Sequence, residues 1–170
     1  MNEFIGVSEL KAQQAHQVQR FRAWAEASDW NSFHINHYDW WTFPITAPSS
    51  FGYKYSVTPD AISELKEDSK FLESLDEAAA LLLLSWGWSV EANAEVPKPD
   101  PNQEWANWPI RLSKCYRSLI LFERTQVATS AERFAKLLHS RGVSFEYNGR
   151  DLSTIGGKNE RILSRVSLGW

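Results

Sequence analysis

Along residues 8–28 the apolar positions fall at helical spacing. Val18, Phe21 and Trp24 follow i, i+3, i+6, with Leu10 and Ala15 one to two turns earlier. Gln13, Gln14, Gln17 and Arg20 form the polar side. Between Asp29 and Pro44, His34, Tyr38 and Trp41 repeat at i, i+4, i+7, which predicts a second helix ending before the proline. Residues 45–57 hold Pro48, Ser49, Ser50 and Gly52 and read as a loop, with one short extended piece at Tyr53, Tyr55 and Val57.

Thr58-Pro59-Asp60 is a helix start. Threonine suits the N-cap, proline the first helical position, and aspartate the positive dipole end. The stripe Phe71, Leu75, Ala78, Ala79, Leu82, Trp86 carries a core helix to Trp86, with a pause near Asp68-Ser69 and Gly87 as its C-terminal cap. Trp88 to Trp105 is a long connection whose Pro97, Pro99 and Pro101 favour an extended path. Asn107 and Pro109 open a helix over 108–124. Thr129 and Glu132 match a capping box for another, reaching about Arg141. Val143, Phe145 and Tyr147 then alternate with polar residues, and Asn148-Gly149 signals a hairpin within 143–155. Asn159 to Leu168 reads as a short final helix.

These elements predict a mainly α, single-domain, multi-helix globule over residues 1–170, with a small C-terminal β-hairpin and a tail from 156. The length of 170 residues suffices for one buried core. Nine Trp, nine Phe and five Tyr make the chain unusually aromatic, which favours dense packing or an aromatic-lined site. The longest apolar run, Ala78 to Leu84, is far short of the about 20 residues of a membrane span. Met1 to Lys11 has no basic segment followed by an apolar one, so no signal peptide and a cytoplasmic location are expected. One cysteine, Cys115, excludes an internal disulfide and a thiolate metal cluster within the chain.

The net charge of −3 hides an asymmetry. Residues 56–104 carry three basic and eleven acidic side chains, residues 105–170 eleven basic and five acidic. The simpler reading is that the acidic middle packs against the basic end. The alternative is an anion-binding surface on the basic end, nucleic acid included, although an overall pI near 5.8 disfavours that partner.

Candidate chemistry is sparse. His34 and His37 are three apart but have no third metal ligand nearby in sequence, so no metal is expected. Cys115 falls on the apolar face of its helix, the place of a small buried hydrophobe. Gly156-Gly157-Lys158 lacks the spacing and the following hydroxyl of a phosphate loop. Arg111, Lys114 and Arg117 share one helix flank and could hold an anion jointly, or could pair with the acidic 60–77 helix. Trp40, Trp41, Trp86, Trp88, Trp105 and Trp108 flank the long connections, as a platform for a flat ligand or as staples that fix the loops.

Two segments together resemble a known family. Tyr38-Asp39-Trp40-Trp41-Thr42-Phe43-Pro44 is similar to the Tyr-x-x-Trp-x-Phe-Pro signature of the opioid growth factor receptor conserved region. Asn107 followed by Arg111-Leu112-Ser113-Lys114-Cys115-Tyr116-Arg117-Ser118-Leu119 resembles that family's second pattern. The likeness covers about residues 30–140. Asn36 stands where the family has histidine, Asp39-Trp40 replaces its Ile-Gln, and Lys114 replaces an arginine. The resemblance implies an all-helical, non-enzymatic domain.

The expected function is therefore a non-enzymatic binding or interaction module for a protein, a peptide or a small anionic ligand, with no cofactor. Its site would comprise Tyr38, Trp40, Trp41, Trp105, Trp108, Arg111, Lys114 and Arg117, around a concavity touching Trp41 and Arg111. Rival readings are nucleic-acid binding by the basic C-terminal region and a hydrolase-type enzyme using His34 or His37. The oligomeric state is open, a homo-oligomer included.

Overall fold

The computed structural model describes residues 3–147 and 150–152. It is mainly helical, with seven helices and 58% helix among the described residues. In chain order these are α1 (Val7–Glu26), α2 (Trp30–Ile35), α3 (Asp39–Thr42), α4 (Pro59–Lys66), α5 (Ser69–Ser85), α6 (Pro109–Leu121) and α7 (Thr125–Ser140). A two-residue hairpin, β1 (Trp88–Ser89) with β2 (Ala94–Glu95), follows α5, and β3 (Glu146–Tyr147) pairs antiparallel with β4 (Arg150–Asp151) after α7. The expected C-terminal hairpin is thus present. Its Asn148-Gly149 turn and the expected helix 159–168 lie outside the described residues.

The long α1 lies along α5, and α6 pairs with α7. The core between them holds Leu10, Val18, Phe21, Leu75, Leu82, Leu119 and Phe134, all buried. Capping follows the sequence at α4, where the Thr58 hydroxyl accepts from the amide of Ala61 at 3.2 Å and Pro59 occupies the first turn. The pause in the next stripe is a full break. The Asp68 carboxylate accepts from the amide of Phe71 at 3.1 Å and starts α5 afresh. No helix among the described residues is long and apolar enough to cross a membrane.

Several expectations change. The single helix expected before Pro44 is two short ones, α2 and α3, separated by the extended Asn36. The expected extended piece is instead a turn over 53–55, where the amide of Ser56 donates to the carbonyl of Tyr53 at 3.1 Å; it follows a tight 49–52 turn closed by mutual backbone hydrogen bonds of Ser49 and Gly52 at 2.9 Å. The capping box at Thr129 is absent because α7 begins a turn earlier. The Thr129 hydroxyl donates to the carbonyl of Thr125 at 2.8 Å from inside the helix. At the start of α6, Trp108 and not Asn107 is the N-cap, with Asn107 in the left-handed region at φ 57°.

Helix ends are tight. After α6, Glu123 takes φ 59°, its amide reaches the carbonyl of Ile120 and the amide of Arg124 reaches that of Leu119. This is the double bond of a Schellman ending, with glutamate in the place that glycine fills most easily. Gly87, after α5, combines φ 82° with close approach: a Cβ there would lie 3.1 Å from the carbonyl oxygen of Gln103.

Candidate functional site

Sequence reasoning gathered its site around α3 and α6, and the structure does bring these helices together. The short α3 lies between α1 and α6. The joint is built on Arg111, which is only 1% exposed. Its Nη1 donates to the carbonyl of Phe33 at 2.7 Å and to the Tyr38 hydroxyl at 2.9 Å, and its Nη2 donates to the carbonyl of Asn36 at 2.9 Å. The Tyr38 hydroxyl in turn donates to the carbonyl of Phe33 at 2.6 Å. The guanidinium carbon sits 4.3 Å from the ring centre of Tyr38 and 4.4 Å from that of Trp108.

This explains why the segment is not one helix. A continuous helix would direct the carbonyls of Phe33 and Asn36 to amides four residues on. Here a buried cation from α6 collects them, and Asn36 opens to an extended conformation. The charge is balanced by Asp39, whose Oδ1 lies 4.0 Å from Arg111 Nε and whose Oδ2 takes Lys114 Nζ at 2.9 Å. Lys114 also lies 5.2 Å over Trp40. Burial pushes the Tyr38 phenol far above its ordinary range, so it remains a neutral donor.

The pairing expected between this basic flank and the acidic 60–77 helix is not formed among the described residues. The acidic helices pair instead with Lys11, Arg22 and Arg124: Lys11 meets Asp68, Arg22 meets Glu77 and Arg124 meets Asp76, while Lys66 of α4 itself meets Glu123 just beyond α6. Arg111 is committed to the backbone of its own chain, so the expected concavity touching both Trp41 and Arg111 does not form. Arg117 lies half-buried, with no ion pair among the described residues.

Six of the tryptophans divide into two groups. Trp30, Trp88, Trp105 and Trp108 are staples. Trp108 Nε1 donates to the carbonyl of His34 at 3.1 Å, Trp30 Nε1 to Asp100 at 2.9 Å, and Trp88 Nε1 to the Ser130 hydroxyl at 2.9 Å. Trp105 packs edge-on against Trp86, with ring centres 4.9 Å apart. The proline-rich connection is thereby strapped to the body. Gln103 completes the strap by donating to the carbonyl of Leu84 and accepting from the amide of Asp100.

Trp40 and Trp41 form the other group. Both are half-buried and lie tilted against each other, and an edge-to-face chain runs from Trp40 through Phe51 and Tyr55 to Trp41. Phe51 is 39% and neighbouring Tyr53 46% exposed, so the chain opens to solvent on the 49–53 turn. On its other side, Trp41 walls a groove along α1 that is lined by Glu9, Gln13, His16, Gln17 and Arg20. Sequence reading missed these α1 residues. Their signal was Gln14 and Gln17, which sit in register with buried Leu10, Val18 and Phe21 and are themselves buried.

The histidines do not assemble a catalytic group. His34 Nε2 donates to the carbonyl of Asn102 at 2.6 Å, and exposed His37 faces the rings of Trp40 and Trp108. Among the described residues no cluster of three or more His, Cys, Asp or Glu could hold a metal ion. Cys115 is fully buried, and burial raises its thiol well above the usual range.

In comparisons with protein-family models, curated proteins and solved structures, the chain matches none.

Proposed function

We propose that this protein is a non-enzymatic binding module that recognises an extended peptide on the aromatic face formed by Trp40, Trp41, Phe51, Tyr53 and Tyr55. The observation that carries this reading is the exposed end of the edge-to-face chain at Phe51, with exposed Tyr53 two residues on. Ordered aromatic rings at a surface offer large contact area at small cost in side-chain entropy. The buried Arg111 joint beneath them supports the reading too, because it holds α3 in one position before any ligand arrives. The resemblance to the opioid growth factor receptor conserved region belongs to the same proposal. Its two segments contribute Tyr38 and Arg111, which meet in that joint.

A random dodecapeptide display library panned against the folded protein tests the reading. Enriched peptides are expected, and Phe51→Ala should weaken them about tenfold or more. Phe51 lies on an exposed turn, so the change leaves the core intact. Failure to enrich any peptide, or binding indifferent to Phe51→Ala and Trp40→Ala, overturns it.

A further inference from the structure

The groove along α1 has a chemical character that the aromatic face alone does not. It encloses about 380 Å³ and runs from Glu9 to Arg20, with Trp41 as its wall. Those eleven steps of helix span about 16 Å at 1.5 Å each, room for about five residues of an extended chain.

Toward the Arg20 end its polar groups include donors that lack acceptors. Gln17 is 1% exposed. Trp41 Nε1 can only donate, and it reaches Gln17 Oε1 at 3.4 Å, which fixes which way the amide lies. The Gln17 Nε2 is left buried with no hydrogen-bond partner. At one end, Arg20 spends a single hydrogen bond on Asn36 Oδ1 at 3.4 Å while its guanidinium lies 4.9 Å over Trp24. His16 is exposed beside it. The one carboxylate, Glu9, is at the far end and already accepts from Gln13 at 3.1 Å.

A fitting ligand is therefore rich in acceptors and poor in donors, apolar where it meets Trp41, and negative near Arg20. Proline-containing chains have this chemistry. Proline has no N–H, and an extended polyproline-type chain leaves its carbonyls free to accept. Its rings also pack well on indoles. We infer that this groove binds a proline-containing peptide in extended form, with a proline against Trp41, a backbone carbonyl at Gln17 Nε2 and an acidic side chain at Arg20. The inference rests on the peptide-binding reading above and names the ligand's class.

The same dodecapeptide library separates the two. The expected consensus pairs proline with aspartate or glutamate. A synthetic peptide of that consensus, titrated calorimetrically into the full chain, should bind Arg20→Gln about fivefold more weakly, with a shallower salt dependence. Replacing the peptide's proline by alanine should cost about tenfold. Trp41→Leu should weaken binding while circular dichroism remains native. Enriched peptides that lack proline or are basic, or that bind Arg20→Gln and Trp41→Leu as tightly as the natural protein, overturn the inference. If such peptides still depend on Phe51, the binding-module reading stands and only the groove assignment falls. No enrichment removes both.

Discussion

Arg111 and Tyr38 converge on one acceptor: Nη1 of the arginine and the hydroxyl of the tyrosine both donate to the carbonyl oxygen of Phe33, at 2.7 and 2.6 Å. Seventy-three residues separate the pair in sequence, yet they also hydrogen-bond each other. The α2–α3 corner and α6 are held by this triangle together with the Nη2 bond to Asn36.

Arg111→Lys is expected to destabilise the protein by about 3 kcal/mol or more in urea unfolding, because an ammonium cannot meet three acceptors in a plane and leaves buried carbonyls unpaired. Tyr38→Phe should cost about 1 kcal/mol, since Phe33 retains its bond from Arg111. The double variant should cost less than the sum of the two, as both changes act on one network. Additive losses would show that the triangle is not a unit.

Stability should fall on the alkaline side. Burial raises both the Cys115 thiol and the Tyr38 phenol in the folded chain. Their contribution is complete below the unfolded values, about 8.5 for cysteine and 10 for tyrosine, and is lost as pH rises towards the folded values. Urea midpoints should therefore decline above about pH 8.5. Cys115→Ala should delay that decline to about pH 10, where the tyrosine takes over. A midpoint flat to pH 10.5 would contradict the burial of both groups.

Glu123→Gly should stabilise the protein by about 1 kcal/mol. Glycine tolerates the φ of 59° that glutamate occupies at the end of α6. Among the described residues the ion pair lost is the exposed one to Lys66, worth little in water. A lower thermal midpoint for this variant would show that the Lys66 pair outweighs the backbone strain.

The sequence made some of this legible. The starts of α4 and α5, the core stripe Phe71 to Trp86 and the C-terminal hairpin all depend on neighbours in the chain, which local spacing reports. The Arg111 joint does not. Arg111 follows the polar side of α6 by sequence, and only the unpaired carbonyls of a segment 75 and 78 residues away make its burial favourable. The same long-range capture broke the helix expected before Pro44. The tryptophans were half legible. Their places beside loops suggested staples, as Trp88, Trp105 and Trp108 prove to be, but nothing local distinguished these from the open Trp40 and Trp41. The α1 groove was hidden because Gln17 and Arg20 read as ordinary polar positions until Trp41 was set beside them.

The strap from Asp100 to Arg111 also sets an order of events during synthesis. Trp30, His34, Asn36 and Phe33 each take a hydrogen bond that the 100–111 segment supplies, from Asp100, Asn102, Trp108 or Arg111. Until residue 111 has left the ribosome, the segment from Trp30 to Trp41 can pack its rings on Phe21 and Trp24 of α1, but the carbonyl of Asn36 lacks its partner from Arg111 and that of Phe33 is held by Tyr38 alone. Contacts of such sequence separation form late and slowly. The corner is thus only partly held until Arg111 arrives and joins the carbonyls of Phe33 and Asn36 to α6.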